Sequence, residues 1–318
     1  MDFLLIFLTI IGLTFFEVIT GIDNAIINAE ILSKMSEKAK RWFLVWGIFI
    51  AVFVVRGLLP WLMVWLANPQ LGPIGAFTAT LSSDPAVVAA VEASAPVLQI
   101  GGGLFLIFLF FHWLFLETKH FGLRGEKFIQ SNGVWFFAVA SIILAIVTWF
   151  AINKNPFMAF GAVIGSTAFF IVHGFKQNAE QTEKLLMQSS SGSNSSSAMH
   201  LSDLSKLLYL EIIDATFSVD GVIGAFAFTL AVPLILIGNG IGAFVVRELT
   251  LRNIENVKKY VFLKNGAMYS ILFLGAIMIL DAFSYRIPSW ISPVITFGVV
   301  GYFLWRSHVH LKANGNPA

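Results

Sequence analysis

No cysteine occurs among the 318 residues. That absence excludes disulfides, zinc–thiolate centres, iron–sulfur clusters and thiol catalysis, and leaves oxygen and imidazole to bind any metal. Charge is scarce as well, with Asp, Glu, Lys and Arg together at 12% of the chain, about half the share of an ordinary soluble domain. The N-terminus, Met1-Asp2-Phe3-Leu4, lacks a basic n-region and a small-x-small cleavage site. The apolar run behind it therefore reads as a retained span rather than a cleaved signal. No ATPase signature is present. Gly101-Gly102-Gly103 is not followed by Lys-Ser/Thr and reads as a surface for close helix packing. The chain is expected not to be an enzyme, and no nucleic-acid partner is expected.

What is present is apolar. Hydrophobic residues make up 57% of the chain, and the mean hydropathy is +0.82. A soluble fold cannot hide that much apolar surface, so the expected solvent is the lipid bilayer. The predicted fold class is all-α, a polytopic transmembrane protein of about nine spans. These are Phe3–Ile22, Phe43–Leu66, Val97–Leu116, Val134–Ile152, Phe157–Phe175, Leu207–Leu230, Val232–Leu251, Tyr260–Phe283 and Ile287–Trp305. Trp42, Trp61, Trp65, Trp149, Trp290 and Trp305 fall near span ends, where aromatic belts form.

Basic residues alternate with the spans. Of the 20 Lys and Arg, 17 fall in or beside the loops after spans one, three, five and seven or after span nine. Lys154 and Arg286 lie in the alternate loops, and Arg56 lies inside span two. The positive-inside rule then places the N-terminus outside and the C-terminus inside. In the outer loop 67–96, Asp84-Pro85 marks the start of a short Ala-rich helix. Residues 188–202 are dominated by serine and read as a flexible cytoplasmic linker. The expected organisation is an N-terminal repeat with extra spans (1–187), that linker, and a C-terminal repeat (203–318).

The repeat rests on two echoes. Span one carries Glu17-Val18-Ile19-Thr20-Gly21-Ile22-Asp23-Asn24, and span six carries Asp214-Ala215-Thr216-Phe217-Ser218-Val219-Asp220-Gly221. Each reads acid, five residues, acid, then a small or amide residue. The following spans share Phe-Val-Val-Arg, ending at Arg56 and Arg247. Five spans separate the copies, so they cross in opposite directions, a common transporter design with its site near the midplane.

Acids within spans demand a reason, because each costs roughly 2.5–3.5 kcal/mol at a helix centre. Glu17, Asp23, Glu211, Asp214 and Asp220 all fall in spans one and six. Partners, cavity water or a bound cation must reduce that cost. At helical spacing Glu17, Thr20, Asn24 and Asn28 share one stripe, with Asp23 beside it. Glu211, Asp214, Ser218 and Gly221 form the matching stripe, bordered by Asp220. Glu17 and Asp23 are about 120° and about 9 Å apart on an ideal helix, and a bend at Gly21 is expected to turn both inward. Carboxylate, amide and hydroxyl oxygens are hard ligands that suit Mn²⁺, Mg²⁺ or Ca²⁺. The plainer reading is a set of structural ion pairs with Arg56 and Arg247. His112 and His173 are weaker candidates for proton transfer or metal binding, and His308 and His310 weaker still.

These paired motifs and the inverted nine-span layout resemble the TerC-like integral membrane proteins, named for tellurium resistance and part of the LysE-type exporter group. The resemblance implies a bacterial inner-membrane protein that exports a divalent cation, manganese first, as transported substrate. It implies Asp23, Asp220, Glu17, Asp214 and Asn24 as the metal ligands. Thr20, Ser218, Asn28, Glu211, Arg56 and Arg247 would support them. Gly221 stands where that family usually has Ser, which removes one hydroxyl ligand. Alternatives are a scaffold that docks soluble stress-response proteins on its cytoplasmic side, an exporter of a small solute, and an intramembrane enzyme acting on a lipid phosphate.

Overall fold

The computed structural model describes residues 3–33, 35–47, 49–50, 57–79, 84–119, 121–123, 125–191, 207, 210–211, 219–252, 254–285 and 287–313. Twelve helices are assigned among them: α1 (Phe3–Ser33), α2 (Glu37–Trp42), α3 (Leu58–Ala67), α4 (Gly72–Thr78), α5 (Pro85–Leu116), α6 (Glu126–Ser131), α7 (Phe136–Lys154), α8 (Pro156–Ser191), α9 (Val232–Arg252), α10 (Ile254–Lys258), α11 (Leu263–Ala282) and α12 (Ile291–Ala313). A further helical stretch covers 219–225. No strand occurs among the described residues.

Among the described residues, six helices are long and apolar enough to cross a bilayer: Phe3–Ile22, Pro85–Leu116, Gly133–Lys154, Pro156–Asn178, Val232–Leu249 and Leu263–Ala282. This is the make-up of a helical membrane protein. Three expected spans are not among the six. The second is described only in part, because 51–56 lies outside the described residues, and so does most of 207–218 in the sixth. The ninth is the helix α12, whose second half carries Arg306, His308, His310 and Lys312. The outward face of α7 leaves Phe137, Ile142, Ile146, Trp149 and Phe150 exposed, a face that water would penalise and lipid would not.

Inside, Phe105, Phe108, Phe136 and Phe169 are almost fully buried around Leu104 and Ile100. Small residues bring the helices close, as expected where lipid removes the hydrophobic drive between them. On α9, Gly238 and Gly242 are four apart: a Cβ on the first would stand 2.5 Å from Leu13 Cβ, and one on the second 2.5 Å from Glu17 Cβ. On α8, a Cβ on Gly161 would stand 2.7 Å from the Val97 carbonyl oxygen, and Gly165 lies against the Gly101 backbone.

These contacts also fix direction. Leu13 and Glu17 meet Gly238 and Gly242 in ascending order, so α1 and α9 are parallel. Val97 and Gly101 meet Gly161 and Gly165, so α5 and α8 are parallel. Gly12 lies against Pro293 and Phe15 against Phe297, which makes α12 parallel to α1. Phe262 and Tyr269 meet Ser307 and Phe303, so α11 opposes α12. The Gly103–Gly275 and Phe110–Tyr269 contacts set α11 against α5 in the same way. The stretch 219–225 runs against α1, with Gly221 beside Glu17 and Gly224 beside Phe16. Phe136 and Phe137 at the start of α7 meet Phe169 and Phe170 well along α8, with Asn155 alone between the two helices, so α7 opposes α8. Thus α1, α5, α8, α9 and α12 run one way, and α7, α11 and 219–225 the other.

Two local expectations change. Asp84 caps a helix, its side chain accepting from the Ala86 N–H at 2.9 Å, with Pro85 in the first turn. The helix is not a short outer one, however. It continues through Pro96 to Leu116 as a single 32-residue element. Neighbouring helices make an internal proline tolerable at such depth. α1 is likewise continuous across Gly21. The helix is not unwound there, and Gly21 makes room for Val246, whose Cγ2 would lie 3.1 Å from an added Cβ.

Candidate cation site

The C-terminal end of α5, the middle of α8, the start of α11 and the middle of α1 surround a cavity of about 780 Å³. Its wall carries Thr20, His112, Glu117, His173, Lys176, Asp220 and Lys264 among apolar residues. On α11 it reaches from Leu263 to Ile271, about 12 Å of helix rise. It opens at one end of the bundle, beside the partly exposed Glu117 and Lys264, and extends inward between the helices.

The two acidic segments meet here. Asp220 lines the cavity and is buried. The adjacent Gly221 packs on α1, where an added Cβ would stand 2.7 Å from Glu17 Oε2 and 3.8 Å from Thr20 Oγ1. Glu17 is wedged between Gly221 and Gly242 and is 2% exposed. A side chain at Gly221 would crowd the end of that carboxylate. The Thr20 hydroxyl donates to the Phe16 carbonyl at 2.9 Å, leaving its lone pairs available.

Lys176, which the sequence offers only as one more basic residue beyond span five, reaches into the site. Its ammonium donates to Asp220 Oδ2, and the two side chains are 13% and 12% exposed. The other carboxylate oxygen, Asp220 Oδ1, is buried without a hydrogen-bond partner. His112 and His173 come together nearby, their ring centroids 3.7 Å apart. The Nε2 atom of each is buried without a hydrogen-bond partner. Read singly, each histidine is only a weak candidate; the pairing of α5 with α8 is what joins them.

The supporting residues separate. Arg247 does not reach toward Asp220. Its Nη2 lies 3.6 Å from Glu211 Oε1, its Nη1 donates to the Phe43 carbonyl, and its guanidinium stacks 4.0 Å over the Phe43 ring. Gly47 lies against both charged groups and has no room for a Cβ. For Glu211 and Arg247 the structural ion pair is the arrangement found. Asp214, Ser218 and Arg56 lie outside the described residues, and Asp23, Asn24 and Asn28 belong to α1 with side chains outside that description. Among the described residues no three His, Asp or Glu side chains converge tightly enough to hold a metal ion.

A second acid was missed altogether. Glu126, at the start of α6, is 2% exposed. Its carboxylate accepts from Asn265 Nδ2 at 2.9 and 3.2 Å and from the Tyr269 hydroxyl at 3.0 Å. It fastens the loop after α5 onto α11. At the mouth of the cavity Lys264 pairs with Glu117 at 2.6 Å, both about two-fifths exposed, a bridge worth little in water. Lys119 closes the end of α5. Its ammonium donates to the carbonyls of Trp113, Leu114 and Glu117 and lies 4.3 Å from the Trp113 ring centroid. Those carbonyls have no helical partner and carry the negative end of the helix dipole. Burial pushes the Lys119 ammonium below the usual lysine range, against the raising effect of Glu117.

Comparison with curated proteins and with solved structures gives no match. One family matches, over residues 22–314, a range that takes in Asp23, Lys176 and Asp220. The chain belongs to that family, described as protein of unknown function (DUF475).

Proposed function

We propose that this protein is a membrane transporter that exports a divalent cation through a site shared by α1 and the Asp220 segment. The observation that carries the reading is the meeting of Glu17 and Thr20 with Gly221 and Asp220. Thr20 of one acidic motif and Asp220 of the other, two hundred residues on, line one cavity among apolar helices, with Glu17 packed against Gly221 beside it. Buried carboxylates in a membrane are expensive and mark ion or proton paths. The hard oxygens of Asp220, Thr20 and Glu17 suit Mn²⁺, Mg²⁺ or Ca²⁺. Asp23, Asn24 and Asp214 complete the set in this reading, and the resemblance of the motifs to TerC-like proteins makes manganese the first ion to test. The cavity opens at the end where the basic residues gather, which is the cytoplasmic end by the positive-inside rule. A site open to the cytoplasm is the loading state of an exporter, and rocking of one half against the other supplies the outward step.

The test is intracellular metal content by elemental mass spectrometry, in bacteria lacking their own manganese exporter and grown under metal load. Wild type is expected to lower manganese, and Asp23→Asn and Asp220→Asn to fail at equal membrane abundance. Unchanged content across a panel of divalent ions defeats the reading. A scaffold for soluble partners predicts the reverse dependence, with loop deletions harmful and both Asn variants active.

A further inference from the structure

We propose that Lys176 is a tethered counter-cation: it occupies Asp220 when no ion is bound and competes with the transported cation for that carboxylate. The inference rests on the transport reading and assigns Lys176 a part in it.

Lys176 lies two residues from the end of the apolar segment Pro156–Asn178. A lysine so placed ordinarily snorkels outward, laying its stem along the helix and its ammonium in headgroup water. Here the ammonium turns inward to Asp220 Oδ2. Other cations at this end are engaged elsewhere: Lys264 with Glu117, Lys119 with the α5 carbonyls, and Arg247 with Glu211. The target is half-engaged, since Asp220 Oδ1 is buried without a hydrogen-bond partner while Oδ2 takes the lysine. An incoming ion has an open oxygen to begin on.

A dication that joins Lys176 on one buried carboxylate meets a like charge a few ångströms away at low dielectric, and that repulsion offsets much of what it gains from Asp220. Binding is therefore strongest when Lys176 leaves. Its flexible stem allows this, and the cavity that holds the pair runs out to the half-exposed Glu117 and to Gln177 at the mouth. When the ion departs, the lysine returns, so Asp220 is never left as a bare buried charge. The arrangement weakens binding and speeds release. It also favours divalent over monovalent cations, since a single positive charge gains nothing over the one already tethered.

Mn²⁺ binding to the purified full-length protein in lipid nanodiscs tests this, read from the electron paramagnetic resonance signal of free Mn²⁺. Lys176→Met is expected to bind at least ten times more tightly than wild type. Lys176→Arg, which keeps a competitor, should stay within about threefold of it, and Lys176→Met with Asp220→Asn should lose the gain. Wild-type binding that is unchanged or weaker in Lys176→Met overturns the inference and leaves the transport reading standing. No saturable binding of Mn²⁺ by wild type overturns both. A second readout needs no variant: saturating Mn²⁺ should raise acylation of the Lys176 amine in wild type, measured by peptide mass spectrometry. Labelling that is unchanged or reduced by bound Mn²⁺ counts against the inference even if Lys176→Met does not fold.

Discussion

At the scale of single residues, buried charges here divide by what holds them. Glu126 takes neutral donors, Glu211 an arginine, and Asp220 a lysine with one oxygen left over. Of these three, the Asp220 pair is the one that lines the cavity. Lys119 is the opposite case, a cation held by carbonyls and the Trp113 ring, and its burial has a pH signature. Its folded value is depressed, so between that value and the unfolded value of about 10.4 the unfolded chain binds more protons than the folded one. Stability from this group is therefore gained as pH rises toward about 10.4. Lys119→Met should lower the melting temperature at neutral pH, because it orphans buried carbonyls at about 1–3 kcal/mol. It should also flatten the alkaline rise. A variant that melts as wild type does, with the same pH profile, would remove the capping role.

At the scale of elements, what was legible in the sequence is what depends on period and termini. The Glu17–Thr20 stripe, the Asp84-Pro85 helix start and the apolar lengths follow from neighbours along the chain. What was hidden depends on neighbours across it. Gly21 reads as a hinge until Val246 is seen filling its notch. Lys176 reads as a loop lysine because nothing in its own segment tells that Asp220 lies opposite. Glu126 sits in a charged loop, where acids are usually solvated. Glycine spacing on α8 and α9 is legible only once partners are known, and it yields a contrast to test. Gly165→Leu and Gly242→Leu should each lower the melting temperature sharply, since overpacking alone costs about 1–3 kcal/mol and backbone or the Glu17 stem is what a side chain would strike. Gly298→Ala on α12, where an added Cβ meets nothing within 4 Å, should not lower it. Equal behaviour of the three would mean that these helices do not approach as described.

At the scale of the whole molecule, charge distribution and helix direction are independent observations that agree. Basic residues gather at the C-terminal ends of α1, α8, α9 and α12 and at the start of α11, and packing contacts put those ends together. The absence of cysteine makes the arrangement directly measurable, because any introduced thiol is the only one. Ala86 and Asn153 are exposed at one end of the bundle, and Ser131 and Ala313 at the other. In intact cells a membrane-impermeant maleimide should label Ala86→Cys and Asn153→Cys at once, and Ser131→Cys and Ala313→Cys only after permeabilisation. The mirror pattern would keep the bundle, reverse its orientation and, under the proposed transport function, turn the cavity that holds Lys176 and Asp220 from an entrance into an exit. A pattern that splits Ala86 from Asn153 would break the bundle itself, since α5 begins and α7 ends on the same side only if α5 opposes α7 through their shared packing on α8.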